Sequence, residues 1–200
     1  MSGTDRLGGV AATILLVCCV AWGLNQVAIK ISLAGVSPLL GAGLRSFIAA
    51  VLVWAWCPFR GEPLLTRDGT WGYGLFIGLL FAAEFVFIYG GLAFTTASRS
   101  VIFLYSAPFF VALGAHVFIP EERLTRSRVT GLIVAFVGLC LAFVDGLALP
   151  SRRELLGDGL ELIGGLLWAA TTVVVKARRG RRLSPQRTLF YQLSVSVVAL

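Results

Sequence analysis

The stretch FAAEFVFIYGG, residues 81–91, sets Glu84 inside an apolar run long enough to cross a bilayer. A charge at the centre of such a run costs on the order of 2.5 to 3.5 kcal/mol, so it calls for a partner or a water-filled cavity. The chemistry open to it is to carry a proton or to hold a charged ligand. At about 1.5 Å rise per residue, Glu84 lies about 12 Å below the end of its run near Leu92, and Arg45 about 10 Å below the start of its own at Pro38. The two opposite charges lie at depths where they can meet, either as glue between helices or as a poised pair facing a path. Glu84 is then a candidate proton-coupling carboxylate or a substrate-facing charge held by Arg45.

The same arithmetic gathers further groups into this layer. Trp22 falls about 12 Å in from Lys30, with Asn25 and Gln26 one turn nearer the end of the run, and Tyr105 and Pro108 fall at about 9 and 13 Å in the fourth run. Trp168, Thr171 and Thr172 come close to it from the sixth. Pro108 removes a backbone hydrogen bond and frees carbonyls, so a kink is expected there. The alternative for the whole layer is a set of interhelical hydrogen bonds and packing contacts.

Other polar residues have a plainer reading beside the functional one. His116, the sole histidine, can relay protons or sit hydrogen-bonded as a lone side chain. Arg99, Lys30 and Lys176 open or close apolar runs, where snorkelling is the default and a gate is the sharper option for Arg99. Glu121 and Glu122 stand near Arg123, Arg126 and Arg128, which a surface ion cluster explains. Gly74 and Gly78 form a GxxxG pair suited to close helix packing.

These residues need elements to hold them, and composition says which kind. Of 200 residues, 58% are hydrophobic and 14% charged, more apolar surface than a soluble domain of this length could hide. Apolar runs at 11–30, 38–57, 71–92, 99–119, 129–146 and 157–176, with a seventh from near Thr188, predict an all-α, multi-pass membrane bundle. The net charge of +7 sits in the connectors. With the N-terminus inside, the cytoplasmic side takes Arg6, Arg60, Arg67, Arg123, Arg126, Arg128, Arg178, Arg179, Arg181, Arg182 and Arg187, against Lys30, Arg99, Arg152 and Arg153 outside. That asymmetry predicts a cytoplasmic N-terminus and makes the basic charge a topology signal, not a nucleic-acid stripe. The first run is too long for an ordinary signal peptide and is expected to remain as a helix. Cys18, Cys19, Cys57 and Cys140 lie in or at the ends of runs without CxxC spacing and read as packing residues.

A repeat is visible. AWGLNQVAIK, 21–30, and LWAATTVVVK, 167–176, each carry Trp second and Lys tenth, and each leads through a Ser-Pro connector, Ser37-Pro38 or Ser184-Pro185, into the next run. The offset is five spans, and an odd number inverts the second copy relative to the first, as in many secondary transporters. The first five-helix half takes 1–146 and an incomplete second half 147–200, whose last run, Thr188 to Leu200, is short for a span; a longer parent chain is expected.

The order AWGLNQVAIK with GVSPLLGAGLRSF, then TTASRSVIFLYSAPFF, PEERLTRSRVTGLIVAFVG and GDGLELIGGLLWAATTVVVK resembles the drug/metabolite transporter superfamily, specifically its EamA-like family of ten-helix permeases with two five-helix halves. The resemblance implies a transporter with both termini cytoplasmic, acting on amino acids, other metabolites or toxic compounds. The proline of SAPFF matches the family's at Pro108, and ERLT matches its pattern at Glu122. The expected protein is an inner-membrane exporter of small molecules working by alternating access, with protons as the favoured coupling ion and no cofactor, metal or nucleic-acid partner. A channel or structural membrane subunit is the alternative. An intramembrane enzyme lacks a nucleophile and base here, since GDGL offers one carboxylate at a helix start and His116 has no partner motif; scattered cysteines and one histidine build no zinc site.

Overall fold

The computed structural model describes residues 9–61, 63–64, 69–177 and 184–200. Arg6, Arg67, Arg178, Arg179, Arg181 and Arg182, part of the charge asymmetry above, lie outside the described residues. The chain runs through α1 (Gly9–Ser32), α2 (Pro38–Trp56), α3 (Trp71–Phe94), α4 (Ala97–Leu104), α5 (Ala107–Phe118), α6 (Arg126–Ala142), α7 (Arg152–Ala177) and α8 (Pro185–Ala199). Short 3-10 turns follow α2 at Cys57–Arg60 and α6 at Val144–Leu147.

Helix starts follow from local chemistry. Ser37 and Ser184 accept hydrogen bonds from the Leu40 and Arg187 amides, each with a proline in the first turn, so the Ser-Pro connectors are N-caps. Thr96 and Thr125 cap α4 and α6 in the same way. α7 starts at Arg152, five residues before the start expected at Gly157. A capping box explains the difference: the Ser151 backbone amide donates to Glu154 Oε2 at 2.8 Å, and the Glu154 amide donates to Ser151 Oγ at 3.2 Å. Asp158 consequently lies a turn and a half inside a helix, where the sequence reading had it at the first turn.

Among the described residues, five segments are long and apolar enough to cross a membrane: Gly9–Ser32, Pro38–Arg60, Trp71–Phe94, Ala97–Phe118 and Arg152–Ala177. The fifth expected span, 129–146, is not among them. It folds as the 17-residue α6 followed by the 3-10 turn, because the α-helical bonding ends at Phe143, whose amide donates to Leu139 O, while the Gly146 amide turns back to Phe143 O. The fourth segment is two helices. Tyr105 still donates to Val101 O, but Ser106 donates to Phe103 O in a tighter turn, and Pro108, in the first turn of α5, has no N–H to offer Leu104 O. The expected kink is therefore a full break.

α3 and α7 form the centre. α3 is half buried along its length, against about a tenth for α1 and α2. It lies against α7 and α8, while α7 also lies along α4 and α5. Small residues permit this approach: a methyl group on Gly78 would stand 2.5 Å from Val195 Cβ, and one on Gly74 2.6 Å from the Tyr191 ring. The GxxxG pair is thus the seat of α8. Where α3 and α7 cross, a methyl group on Gly91 would meet Glu161 Cγ at 2.9 Å, and one on Gly157 would meet Thr95 Cβ at 2.8 Å. α6 barely touches the other helices, apart from its Phe136 ring set edge-on to Phe109 at 5.3 Å.

Candidate functional site

Trp22 of α1 and Trp168 of α7 meet. Trp22 and Trp168 stack with ring centroids 5.6 Å apart and planes 19° apart, and Tyr105, at the helix break, stands edge-on to Trp168 at 6.1 Å. Trp168 is thereby held between α1 and the α4–α5 junction. Its other neighbour is empty space: a cavity of about 780 Å³ lies between α5, α6 and α7, bordered by Pro108, Trp168 and Thr172 at depth. Toward the end of α7 its wall becomes polar, with Lys176, Glu122 and Arg128. A mostly apolar chamber of this size with a few charged groups at one end is the form of a small-molecule site.

The structure divides the expected layer into two groups. Trp22, Tyr105, Pro108, Trp168 and Thr172 come together at the cavity or the aromatic cluster on its edge. Gln26 and Glu84 are buried inside the bundle, Arg45 is half-buried beside them, and none of the three borders that cavity. Asn25, one residue along α1, is half-buried. Arg45 and Glu84 form no ion pair within 4 Å among the described residues; the guanidinium lies over the Phe85 ring, 3.8 Å from its centroid. The reason is geometric: Phe85, next to Glu84 on α3, fills the space between α3 and the Arg45 side of α2 and offers its π-face instead. Arg45 Nε and Nη2, Glu84 Oε2 and Gln26 Nε2 are buried with no hydrogen-bond partner.

The two ends of the bundle are tied by charges. At the end where α4 and α7 begin, Arg99 is buried, not snorkelling. Its Nη2 donates to Asp158 Oδ2 at 2.5 Å, its Nε reaches both carboxylate oxygens at 3.2 Å, and its Nη1 donates to Gly146 O at 2.7 Å and Ala148 O at 3.0 Å. Thr95 Oγ1 donates to Asp158 Oδ1 at 2.8 Å, and Lys30 Nζ donates to the Leu92 and Thr95 carbonyls at 2.7 and 2.6 Å, so Lys30 caps the end of α3. At the opposite end Lys176 pairs with Glu122. His116, exposed near that end, accepts the Leu124 amide on Nδ1 at 3.2 Å and so shapes the connector.

Residues 9–144 match the EamA-like transporter family. The chain belongs to that family. Among curated relatives, proteins named "Probable amino-acid metabolite efflux pump" from Salmonella typhimurium and Escherichia coli are both 31% identical, over 80% and 86% of this chain and 52% and 54% of their own length. An uncharacterized transporter of Bacillus subtilis, YoaV, is 25% identical over 85% of this chain and 56% of its own. The chain thus spans about half the length of the curated relatives it matches. No solved structure matches it.

Two carboxylates of this EamA-like chain escaped sequence reasoning, Asp158 and Glu161. Both are buried, Glu161 completely, and its Oε1 accepts the Ser100 hydroxyl at 2.7 Å. The available signal was spacing: Asp158, Glu161, Trp168 and Thr172 recur at helical intervals on one stripe of α7, which the apolar-run boundary at Gly157 obscured.

Proposed function

We propose that this EamA-like chain forms the substrate-handling part of a secondary transporter that exports small metabolites by alternating access. The observation that carries the reading is the cavity between α5, α6 and α7, which reaches from the Trp168 layer to the Lys176 end while Arg99, Asp158 and Lys30 tie the other end shut. With the N-terminus cytoplasmic in the inner membrane, as the connector charges favour, the chamber faces the cytoplasm and a substrate enters from there. Glu122 and Lys176 then act as the cytoplasmic gate and Arg99 with Asp158 as the outer one; both pairs are made in this structure, and the first opens to admit substrate and the second to release it.

The halves 1–146 and 147–200 are read as inverted repeats. The stacking of Trp22 on its counterpart Trp168, with Lys30 and Lys176 at opposite ends, supports that reading. The substrate class we propose is amino acids and their close derivatives, in line with the names of the relatives from Salmonella typhimurium and Escherichia coli; charges of both signs at the chamber mouth suit a zwitterion. Glu84, with an unpartnered oxygen in the bundle interior, is proposed to carry the coupling proton or to face the substrate once the helices rock.

The test is transport by the complete gene product in inside-out membrane vesicles whose lumen is acidified, so that protons run outward as substrate enters. Uptake of a mixture of radiolabelled amino acids above vesicles without the protein is the expected result. Absence of uptake both with and without the gradient overturns it.

A further inference from the structure

Glu161 is a fully buried carboxylate with work still unassigned. Oε1 accepts the Ser100 hydroxyl at 2.7 Å, while Oε2 has no partner. A purely structural carboxylate at such a depth would be satisfied on both oxygens, because an unmet buried acceptor costs about 1–3 kcal/mol, more if charged. Asp158, one turn earlier on the same helix, shows what satisfaction looks like: both of its oxygens are taken by Arg99, with Thr95 on one of them.

Its position is as telling as its unmet oxygen. Glu161 lies one turn inside the Arg99–Asp158 closure and, seven residues further along the same stripe of α7, comes Trp168 on the cavity wall, about 10 Å away. Between them is Gly165, where a methyl group would stand 3.0 Å from Leu104 O and 3.6 Å from Ser106 Oγ. Leu104 O is the carbonyl released by Pro108. The stripe therefore joins a hydroxyl-bonded carboxylate, a freed carbonyl, a serine hydroxyl and the chamber. The charged groups facing Glu161 are few: Lys30 from α1, Arg99 from α4 behind Asp158, and Asp158 from α7 itself. α3 presents Gly91 there, and Glu84 lies about two turns farther along α3, with Arg45 on α2 as its charged neighbour.

We infer that Glu161 is a proton-binding residue of the transport cycle, loaded and unloaded as the Arg99–Asp158 end opens and closes. The inference rests on the transport reading and adds a second carboxylate to it. With the end closed the carboxyl is out of water, and the neutral acid donates its proton to no charged neighbour. When α4 moves from α7, Lys30 and water reach Oε2 and the proton leaves.

The experiment is infrared difference spectroscopy of the purified complete protein, titrated with acid and base. Wild type is expected to show a protonated buried-carboxyl band that titrates, lost in Glu161→Gln, which keeps the Ser100 bond, and retained in Glu84→Gln. Shift of the band's titration midpoint by Ser100→Ala would agree. A spectrum that Glu161→Gln leaves unchanged, or a titrating band lost in Glu84→Gln alone, overturns the inference. The spectrum is read without any substrate, so failure of amino-acid uptake sinks the transport reading while leaving this result to decide the protonation site. Where uptake is found, Glu161→Gln should retain exchange of labelled for unlabelled amino acids and lose its dependence on the proton gradient; unchanged gradient dependence overturns the coupling role.

Discussion

Trp22 and Trp168, each second in the similar stretches AWGLNQVAIK and LWAATTVVVK, lie face to face at 5.6 Å, with Tyr105 edge-on to Trp168 at 6.1 Å. Aromatic pairs of this kind contribute roughly 0.5–1.5 kcal/mol beyond the area they bury. Trp168→Ala should therefore leave the fold standing while removing the chamber's upper wall. The expected outcome is a loss of substrate-dependent tryptophan quenching and at least a tenfold rise in half-saturating substrate concentration. Trp168→Phe should restore much of both.

Glu84 and Arg45 share the bundle interior without pairing. If Glu84 takes part in coupling, Glu84→Gln in the complete protein abolishes pH-driven exchange while gradient-independent exchange persists. Full coupling in that variant would leave Glu84 a packing residue.

The Arg99 and Asp158 pair makes a different prediction, on stability. Truncating one partner of a buried, hydrogen-bonded ion pair typically costs about 3–5 kcal/mol, since the other charge is left unmet. Asp158→Ala should lower the thermal midpoint of the detergent-solubilised protein by several degrees. Arg99→Lys should rescue little, because an ammonium cannot grip the carboxylate through two nitrogens and still reach the Gly146 and Ala148 carbonyls.

Gly78 is the most crowded contact of the α3–α8 seat. Gly78→Val adds three carbons where even one would lie 2.5 Å from Val195 Cβ, and overpacking of this kind costs about 1–3 kcal/mol or more. A matching Val195→Ala should recover part of the lost thermal stability; Gly72→Val, where a methyl group meets nothing within 4 Å, should not need it.

Much of the helical architecture was legible because bilayer thickness writes itself into a sequence as the length of apolar runs. The five long apolar helical segments follow from run length, and the Ser-Pro caps and the GxxxG seat from local motifs. Depth alone, however, does not say which way a side chain points around its helix. That is why Arg45 and Glu84 were expected where they can meet, whereas the Arg45 guanidinium lies over the Phe85 ring instead. The misread helix start at Gly157 has a related cause. Hydropathy begins where charge ends, but a helix begins where its first amides are capped, and Ser151 with Glu154 capped α7 inside a charged stretch. Asp158 and Glu161 were lost in that interval, and Arg99 and Lys30 were left on the surface for want of their partners. The break in the fourth span lay within reach, since Pro108 announced it.

The Arg99 and Asp158 pair also orders events during synthesis. The two residues are 59 apart in the chain, and at about 5–20 residues per second the interval between their emergence is roughly 3–12 s. Through that time the Arg99 guanidinium is without the carboxylate it holds in the folded chain, and it lacks the Gly146 and Ala148 carbonyls too until those residues are made. The closed end of the bundle is thus completed only by late-made chain, since α4 meets its charge partner when α7 arrives.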